Sequence, residues 1–112
     1  MNLEHGWLRK ELFQKPVHFY WEFNYEQLFL KLAIDQTNPL TKEELTHLRN
    51  EITQICRDAS EKRKKQGPTR NTNGAFVSLY KWEFDFVKED FADIMKETDH
   101  IIDVVYGEIG KW

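Results

Sequence analysis

The chain has 112 residues, of which 40% are hydrophobic and 14% aromatic, and its formal net charge is −3. This length fits a single globular domain over residues 1–112, and so many aromatic residues exclude a chain that is disordered throughout. No apolar run has the length of a signal-peptide core or the roughly 20 residues of a membrane span, so we expect a cytoplasmic protein.

Charge is unevenly spread along the chain, and there is one cysteine. Between Lys42 and Arg70, eight basic residues outnumber five acidic ones, whereas between Trp82 and Trp112 nine acidic residues outnumber three lysines. The chain is therefore dipolar in sequence. Cys56 cannot form an intramolecular disulfide, which fits a reducing compartment, and its place beside an apolar stripe predicts a small buried hydrophobe.

The first segment, residues 2–14, carries apolar residues at roughly helical spacing. They are Leu3, Trp7, Leu8 and Leu12. Gly6 weakens a helix here by about 1 kcal/mol relative to alanine. Lys15-Pro16 then interrupts it, because the residue before a proline avoids the helical region.

A better helix signal follows over residues 25–36. Asn24 can act as the N-cap and Gln27 completes a capping box, while apolar residues on either side match a hydrophobic staple. Apolar residues then surround the helix almost completely, namely Leu28, Phe29, Leu30, Leu32, Ala33 and Ile34. This pattern predicts a central buried helix that ends at the turn residues 37–39.

The same start signal recurs for a helix predicted over residues 42–62. Thr41 is the N-cap and Glu44 completes the capping box. Apolar residues follow in a three-four rhythm, namely Leu45, Leu48, Ile52, Ile55 and Ala59. The tail after Ala59 has nothing to bury and is predicted to fray. Residues 67–74 read as a loop, and we predict that 62–74 is the most mobile internal segment.

The stretch YKWEFDFV, residues 80–87, allows two interpretations. Its alternation of aromatic and charged residues favours short strands near 17–23 and 76–84, each leading into a helix. Continuity instead favours one long helix from about Ala75. We predict a mainly α fold, a compact single-domain bundle of three to four helices, with an α+β fold containing those two strands as the alternative.

Both interpretations agree on a helix near residues 88–105. At 100° per residue its apolar arc comprises Phe84, Val87, Phe91, Ile94, Met95, Ile101, Ile102 and Val105. The opposite side comprises Asp85, Glu89, Asp93, Asp99 and Asp103, with Asp90 and Glu97 on its flank. Like charges four apart cost an isolated helix about 0.2–0.5 kcal/mol each. The acidic row is either a solvated face or a surface held ready for a basic partner.

Residues that could carry chemistry are sparse. The four histidines lie far apart, and the nearest arrangement to a metal site is Asp99 and His100 with Asp103. Glu22 and Glu83, each between Trp and Phe, fit the outward positions of an alternating pattern better than catalytic carboxyls with raised pKa values. We predict no enzyme activity, no metal site and no cofactor.

One basic run could contact phosphates. It comprises Lys62, Arg63, Lys64 and Lys65, with Arg70 nearby. No aromatic residues are interleaved with it, so it implies no platform for stacking bases. A charged helix end is the simpler interpretation, and we do not expect nucleic acid to be the partner.

Three function classes remain. The preferred one is an immunity or antitoxin protein, bacterial or phage-encoded, that blocks a basic, nuclease-like toxin by stoichiometric binding. Its predicted partner-binding residues are Trp82, Glu83, Asp85, Glu89, Asp90, Asp93 and Glu97. Acidic faces attract basic clefts, and large aromatic residues serve as anchors. The alternatives are a nucleic-acid-associated regulator that uses residues 62–70, and an orphan structural subunit of a homo-oligomer such as a homodimer.

Overall fold

The computed structural model describes residues 2–70 and 74–112, and side chains from Trp7 onward within them. These residues form five strands and two helices. In chain order they are β1 (Asn2–Leu12), β2 (Lys15–Asn24), β3 (Gln27–Ile34), α1 (Lys42–Ala59), β4 (Gln66–Pro68), β5 (Phe76–Glu83) and α2 (Phe91–Gly110). The predicted helical bundle is therefore wrong. The fold is α+β, and the strands named in the alternative, near 17–23 and 76–84, lie in β2 and β5.

The five strands form one antiparallel sheet in the order β1-β2-β3-β5-β4. The first three strands make a meander of hairpins. Helix α1 then carries the chain from β3 across β5 to the edge strand β4, from which the chain returns into β5. Buried residues of α1 and α2 join one core cluster with the inward residues of the sheet, so both helices cover the same face. No helix of the described residues covers the other face.

Strand β3 occupies most of the segment predicted to be a helix over 25–36. Its even-numbered residues are buried and its odd-numbered residues are partly exposed, which is the period of a strand. The even-numbered residues face the helices, and Phe29 and Ala33 add apolar side chains on the partly exposed face, so the run that suggested an all-round buried helix also fits this strand. Asn24 is not a helix cap. It pairs with Gln27 across a two-residue turn that closes the β2–β3 hairpin.

The segment predicted as a weak N-terminal helix is the edge strand β1. A two-residue turn at Phe13 and Gln14 joins it to β2, and both turn residues have positive φ, 54° and 62°. Two positive φ values are the mark of the type I′ turn, whose twist matches that of a hairpin. Leu8 and Leu12 pack against the core, while Trp7 pairs with Tyr20 on the other face.

The helix predicted over 42–62 is confirmed, although it ends at Ala59. The Glu44 amide donates to the Thr41 hydroxyl at 3.1 Å, and the Thr41 amide donates to the Glu44 carboxylate at 2.8 Å, so the predicted capping box is present. The last helix is confirmed with shifted bounds, since Asp90 caps it and it runs to Gly110. In the described part of the chain, neither helix is long and apolar enough to cross a membrane.

The core contains two fully buried tryptophans, Trp21 and Trp82, with ring centroids 5.7 Å apart. A bulge in β5 opposite Leu30 lets the consecutive residues Leu79 and Tyr80 both be buried. Cys56 is fully buried in the same core, as predicted, and burial raises the pKa of its thiol. The thiol is therefore a packing group rather than a nucleophile.

Arg49 ties the chain before β5 to helix α1. Its buried guanidinium donates to the carbonyls of Thr69, Arg70 and Ser78, at 3.1, 3.3 and 2.7 Å. Burial lowers the pKa of Arg49, whose guanidinium is bound by carbonyl oxygens and has no carboxylate partner among the described residues. The segment expected to be most mobile, 62–74, thus includes strand β4 and this anchor, while residues 71–73 lie outside the described part.

We predict that Arg49→Ala lowers the free energy of unfolding by about 2–3 kcal/mol, because three carbonyls lose a charged donor. Urea unfolding measures this loss, and trypsin should cleave after Arg70 sooner than in the wild type. Asn50→Ala, a change at the next, exposed residue of α1, is the matched control and should shift stability by no more than about 0.5 kcal/mol. Equal effects of the two substitutions would contradict the anchor.

Candidate functional site

A cleft of about 1040 Å³ opens where three segments of the chain meet. The β2–β3 turn, residues 62–65 after α1, and the loop from Glu83 to Glu89 line it, together with Glu97 of α2. The fold thus brings the basic run and much of the acidic stretch, which are far apart in sequence, to one place.

Arg63 lies at the centre of this region, and its side chain is only 12% exposed. Its guanidinium donates to both carboxylate oxygens of Glu97, each at 2.9 Å, and also to both carboxylate oxygens of Glu89. A further bond of 2.8 Å reaches the Glu83 carbonyl, and the guanidinium carbon lies 4.1 Å from the Phe84 ring centroid. We call Arg63, Phe84, Glu89 and Glu97 the Arg63 cluster.

The charges of the Arg63 cluster stabilise one another. Hydrogen bonds from Arg63 are the largest cause of the lowered pKa values of Glu97 and Glu89. The bond to Glu97 is likewise the largest cause of the raised pKa of Arg63. The Ser60 hydroxyl also donates to Glu97, at 2.6 Å. The cluster therefore stays ionised at neutral pH and joins the end of α1 to α2 and to the loop before it.

The loop between β5 and α2 is held by its own carboxylates. Glu89 accepts from the Asp85 amide at 2.7 Å, and Asp85 accepts from the amides of Val87 and Lys88 at 3.0 and 3.1 Å. Asp90 accepts from the Ala92 amide at 2.8 Å and so caps α2. These three acids shape the backbone, and the expected single acidic helix face does not exist before residue 91.

The structure places the predicted partner-binding residues in different environments. Trp82 is fully buried and is not available to a partner, so the expectation that it borders the surface is not met. Glu83 accepts from Gln27 at 2.9 Å, and Glu89 and Glu97 belong to the Arg63 cluster. Asp90 and Asp93 are exposed, and Asp85 is partly exposed.

The predicted phosphate-contacting residues also divide. Lys62, Lys64 and Lys65 are exposed and have no acidic partner among the described residues. Arg63, by contrast, is enclosed by its cluster. Arg70 is exposed at the boundary of the described part, where its carbonyl accepts from Arg49. The three lysines therefore line the cleft, whereas Arg63 forms its bonds within the fold.

An exposed apolar surface beside the cleft is absent from the sequence predictions. It comprises Tyr25, Phe86, Val87 and Phe91, which are 90%, 40%, 90% and 65% exposed and which we call the Phe86 patch. The Phe86 ring lies 6.4 Å from that of Phe91 and 6.3 Å from that of the partly buried Phe23. The Phe84 amide donates to the Glu26 carbonyl at 2.8 Å, which brings the turn that carries Tyr25 to the same loop.

A sequence signal for the Phe86 patch did exist. Asp90, like Asp85, is an acceptable N-cap for the last helix. Beginning the helix at Asp90 leaves Phe86 and Val87 before it and so removes Val87 from its apolar arc. No comparable signal exists for Tyr25. Its exposure depends on the β2–β3 hairpin, and the sequence predicted a helix there instead.

The described residues contain no group of three or more His, Cys, Asp or Glu side chains placed to hold a metal ion. Asp99, His100 and Asp103, the nearest candidate in sequence, are exposed on α2. No protein family, curated protein or solved structure matches the chain.

We predict that Arg63→Ala lowers the free energy of unfolding by about 2–3 kcal/mol, because it leaves two adjacent carboxylates facing each other. This is below the cost at a fully buried site, since water reaches both glutamates. The neighbouring, exposed Lys64→Ala is the matched control and should cost no more than about 0.5 kcal/mol. Urea unfolding of both variants measures the difference, and equal losses would contradict the role of Arg63.

The same pair of proteins gives a pH prediction. A carboxyl whose pKa is lowered by folding stabilises the fold above its unfolded pKa, about 4.3 for Glu, and that stabilisation is lost as the pH falls through the folded value. The stability gap between wild type and Arg63→Ala should therefore narrow as the pH falls from 7 to about 3. Asp35 and Glu44 also have lowered pKa values, but they titrate in both proteins and cancel in the difference. If the difference in stability between the two proteins stays constant over this pH range, the lowered pKa values of Glu89 and Glu97 do not depend on Arg63.

Proposed function

We propose that this protein is a stoichiometric inhibitor of the immunity or antitoxin type, which acts by binding a basic, nuclease-like protein and catalyses no reaction. One observation carries the proposal, namely the Phe86 patch beside carboxylates that form no ion pair with any described residue. Large exposed apolar groups rimmed by polar residues mark interaction sites, and aromatic side chains supply most of the energy at such sites.

The charge around the Phe86 patch defines the partner. Asp90 directly precedes Phe91, Asp85 directly precedes Phe86, and Glu26 directly follows Tyr25 in the hairpin turn, while Asp93 lies in the first turn of α2. Among the described residues none of these four forms an ion pair, so their charge can attract a basic surface, and the cleft beside them also carries the exposed Lys62, Lys64, Lys65 and Lys88. Complementary charge raises the association rate with a basic partner.

The backbone at Tyr25 supports a role in binding. Tyr25 has a φ of 56°, a conformation that costs a bulky residue about 1–2 kcal/mol and that Gly adopts freely. Its side chain is 90% exposed, so packing does not account for a tyrosine here. A strained, exposed aromatic residue beside other exposed aromatics is what an anchor for a partner would require.

The alternatives have less support. A nucleic-acid regulator that uses residues 62–70 could not use Arg63, whose five N–H groups already donate to Glu89, Glu97 and the Glu83 carbonyl. A homo-oligomeric structural subunit would bury the Phe86 patch against a second acidic copy, where like charges would repel. The proposed inhibitor needs no cofactor, and we place it in the cytoplasm, where the reduced Cys56 fits.

We predict that Tyr25→Gly and Asp93→Lys each weaken binding to the partner at least about tenfold, since one removes an anchor and the other reverses a charge. Tyr25→Gly should leave the free energy of unfolding unchanged or raise it by up to about 1 kcal/mol, because it relieves the strained φ. Candidate partners are proteins encoded beside the gene, and co-expression shows whether the chain protects cells from such a product. Calorimetry then gives the affinities.

Asp103→Lys is the matched control, because it makes the same charge change on the same helix, about 15 Å from Asp93 at 1.5 Å per residue. It should leave affinity and protection unchanged. Asp85→Lys with Glu89→Lys is unsuitable, since both acids hold the loop before α2. If the partner binds Tyr25→Gly and Asp93→Lys as tightly as the wild type, the Phe86 patch is not the binding site.

A further inference from the structure

The two edges of the sheet differ in how far they are protected against pairing with a further strand. Strand β4 forms one edge, and it has only three residues, of which Pro68 has no N–H to donate. Strand β1 forms the other edge, and its register with β2 is continuous from Trp7 to Leu12. Short strands and prolines block an edge, whereas a longer, regular strand can accept another strand. Among the described strands, β1 is therefore the edge that can pair further.

The outward side of β1 carries backbone groups that no described strand pairs. The two-residue turn makes Leu12 and Lys15 a hydrogen-bonded pair, and such pairs alternate with non-bonded pairs along antiparallel strands. The even-numbered residues of β1 thus bond to β2, whereas the odd-numbered residues from Trp7 to Glu11 direct N–H and C=O away from it. A further strand on that side would meet these groups.

The sequence of this edge is complementary to itself when it is reversed. Residues 7–13 read WLRKELF, with an aromatic residue at each end, a leucine beside each, and opposite charges on the two sides of Lys10. Two antiparallel copies centred on Lys10 form three kinds of facing pair, namely Arg9 with Glu11, Leu8 with Leu12, and Trp7 with Phe13. Odd-numbered residues then face odd-numbered residues, as their outward backbone groups require. A shift by two residues would set Arg9 against Arg9 or Glu11 against Glu11, and like charges directly opposite each other are unfavourable.

The side chains that this alignment brings together are uncovered in the single chain. Arg9 and Glu11 are exposed and form no ion pair with any described residue. Trp7 and Phe13 are 49% and 43% exposed. Opposite charges and aromatic residues that face each other across two strands stabilise the pairing, and a two-fold axis forms each pair twice.

Lys10 lies at the centre of the alignment, where it faces its own copy. Inward-pointing charged residues can block an edge. Here the Lys10 ammonium donates to the carbonyls of Gly110 and Trp112, at 3.4 and 2.8 Å. Its charge is thus directed towards the end of α2, where carbonyl oxygens carry partial negative charge, rather than across the edge.

We propose that two copies of this chain form a dimer by antiparallel pairing of their β1 strands, centred on Lys10. The pairing joins two five-stranded sheets into one. The outer edges of the joined sheet are then the two β4 strands, which are short and contain Pro68, so the assembly closes at two copies.

The dimer is expected to be weak and reversible. Seven paired residues span about 24 Å at about 3.4 Å each. A contact of that length, one strand wide, is smaller than the roughly 1,200 Å² of stable interfaces, so we expect dimers to form between about 10 μM and 1 mM. The inference is independent of the proposed inhibitor, because β1 and the Phe86 patch have no residue in common.

Sedimentation velocity over this concentration range tests the proposal. The wild type should shift from the mass of one chain towards that of two as its concentration rises. Arg9→Glu and Glu11→Arg should each weaken dimerisation at least about tenfold, because each turns two attractive pairs into repulsive ones. The double variant, Arg9→Glu with Glu11→Arg, exchanges the two charges and restores opposite pairs. Its dissociation constant should return to within about threefold of the wild-type value.

Matched controls separate these pairs from the effect of net charge. Lys64→Glu and Glu61→Arg make the same changes of net charge at exposed positions outside β1, and neither should alter the dissociation constant. The double variant keeps the wild-type net charge. Circular dichroism establishes that every variant is folded.

Amide hydrogen exchange locates the contact. The amides of Arg9 and Glu11 point away from β2 and should exchange more slowly as the protein concentration rises. Those of Lys10 and Leu12 bond to β2 and should be protected at every concentration. In Arg9→Glu, exchange at Glu11 should no longer depend on concentration.

Four outcomes would overturn the proposal. The first is a wild type that stays monomeric up to about 1 mM. The second is dimerisation that neither single charge reversal weakens, and the third is a double variant that dimerises no better than the single ones. The fourth is a dimer that Phe76→Ala abolishes and Arg9→Glu does not, which would assign the contact to the face of the sheet that no described helix covers. All four are measured without a basic protein partner, so failure here is distinguishable from failure of the proposed inhibitor.

Discussion

Arg63 forms the contact on which the arrangement around the cleft depends, because one guanidinium joins the end of α1, the end of β5 and helix α2. Glu89 lies close enough to raise the pKa of Glu97, but hydrogen bonds from the Arg63 cation between them lower it by more. Its bond to the Glu83 carbonyl and its contact with Phe84 fix the point at which the chain leaves the sheet. These two contacts position the backbone from residue 84 to the start of α2.

This contact also explains why an acidic stretch does not become a uniform acidic surface. Glu89 and Glu97 are needed by Arg63, while Asp85 and Asp90 hold backbone amides at a loop and at a helix start. Carboxylates engaged in this way stabilise the fold near neutral pH. The loop that they shape is short and strongly bent, and it turns Phe86 and Val87 outward. The Phe86 patch is thus a consequence of how the acids are used internally.

The sequence predicted the parts of the fold that local chemistry determines. The capping box of Thr41 and Glu44 is such a part, since each of its bonds joins residues three apart, and so is the amphipathic stripe of α2. Asn24 and Gln27 show the limit. They match a capping box equally well, but β2 and β5 flank the run that follows, and pairing with both neighbours decides in favour of a strand. Arg63 shows the same limit for the site, because its partners lie at least twenty residues away in sequence.

The hairpins show how tertiary pairing overrides local preference. Phe13, Gln14 and Tyr25 all have positive φ although none is Gly or Asn, so no turn signal announced the three-strand meander. The strain of these residues, about 1–2 kcal/mol each by the usual cost of a left-handed residue, is offset by burial of the sheet's inner face against two helices. That burial uses only one side of β1, β2, β3 and β5. The other side carries rings and charged side chains of both signs in register, because no helix of the described residues packs against it.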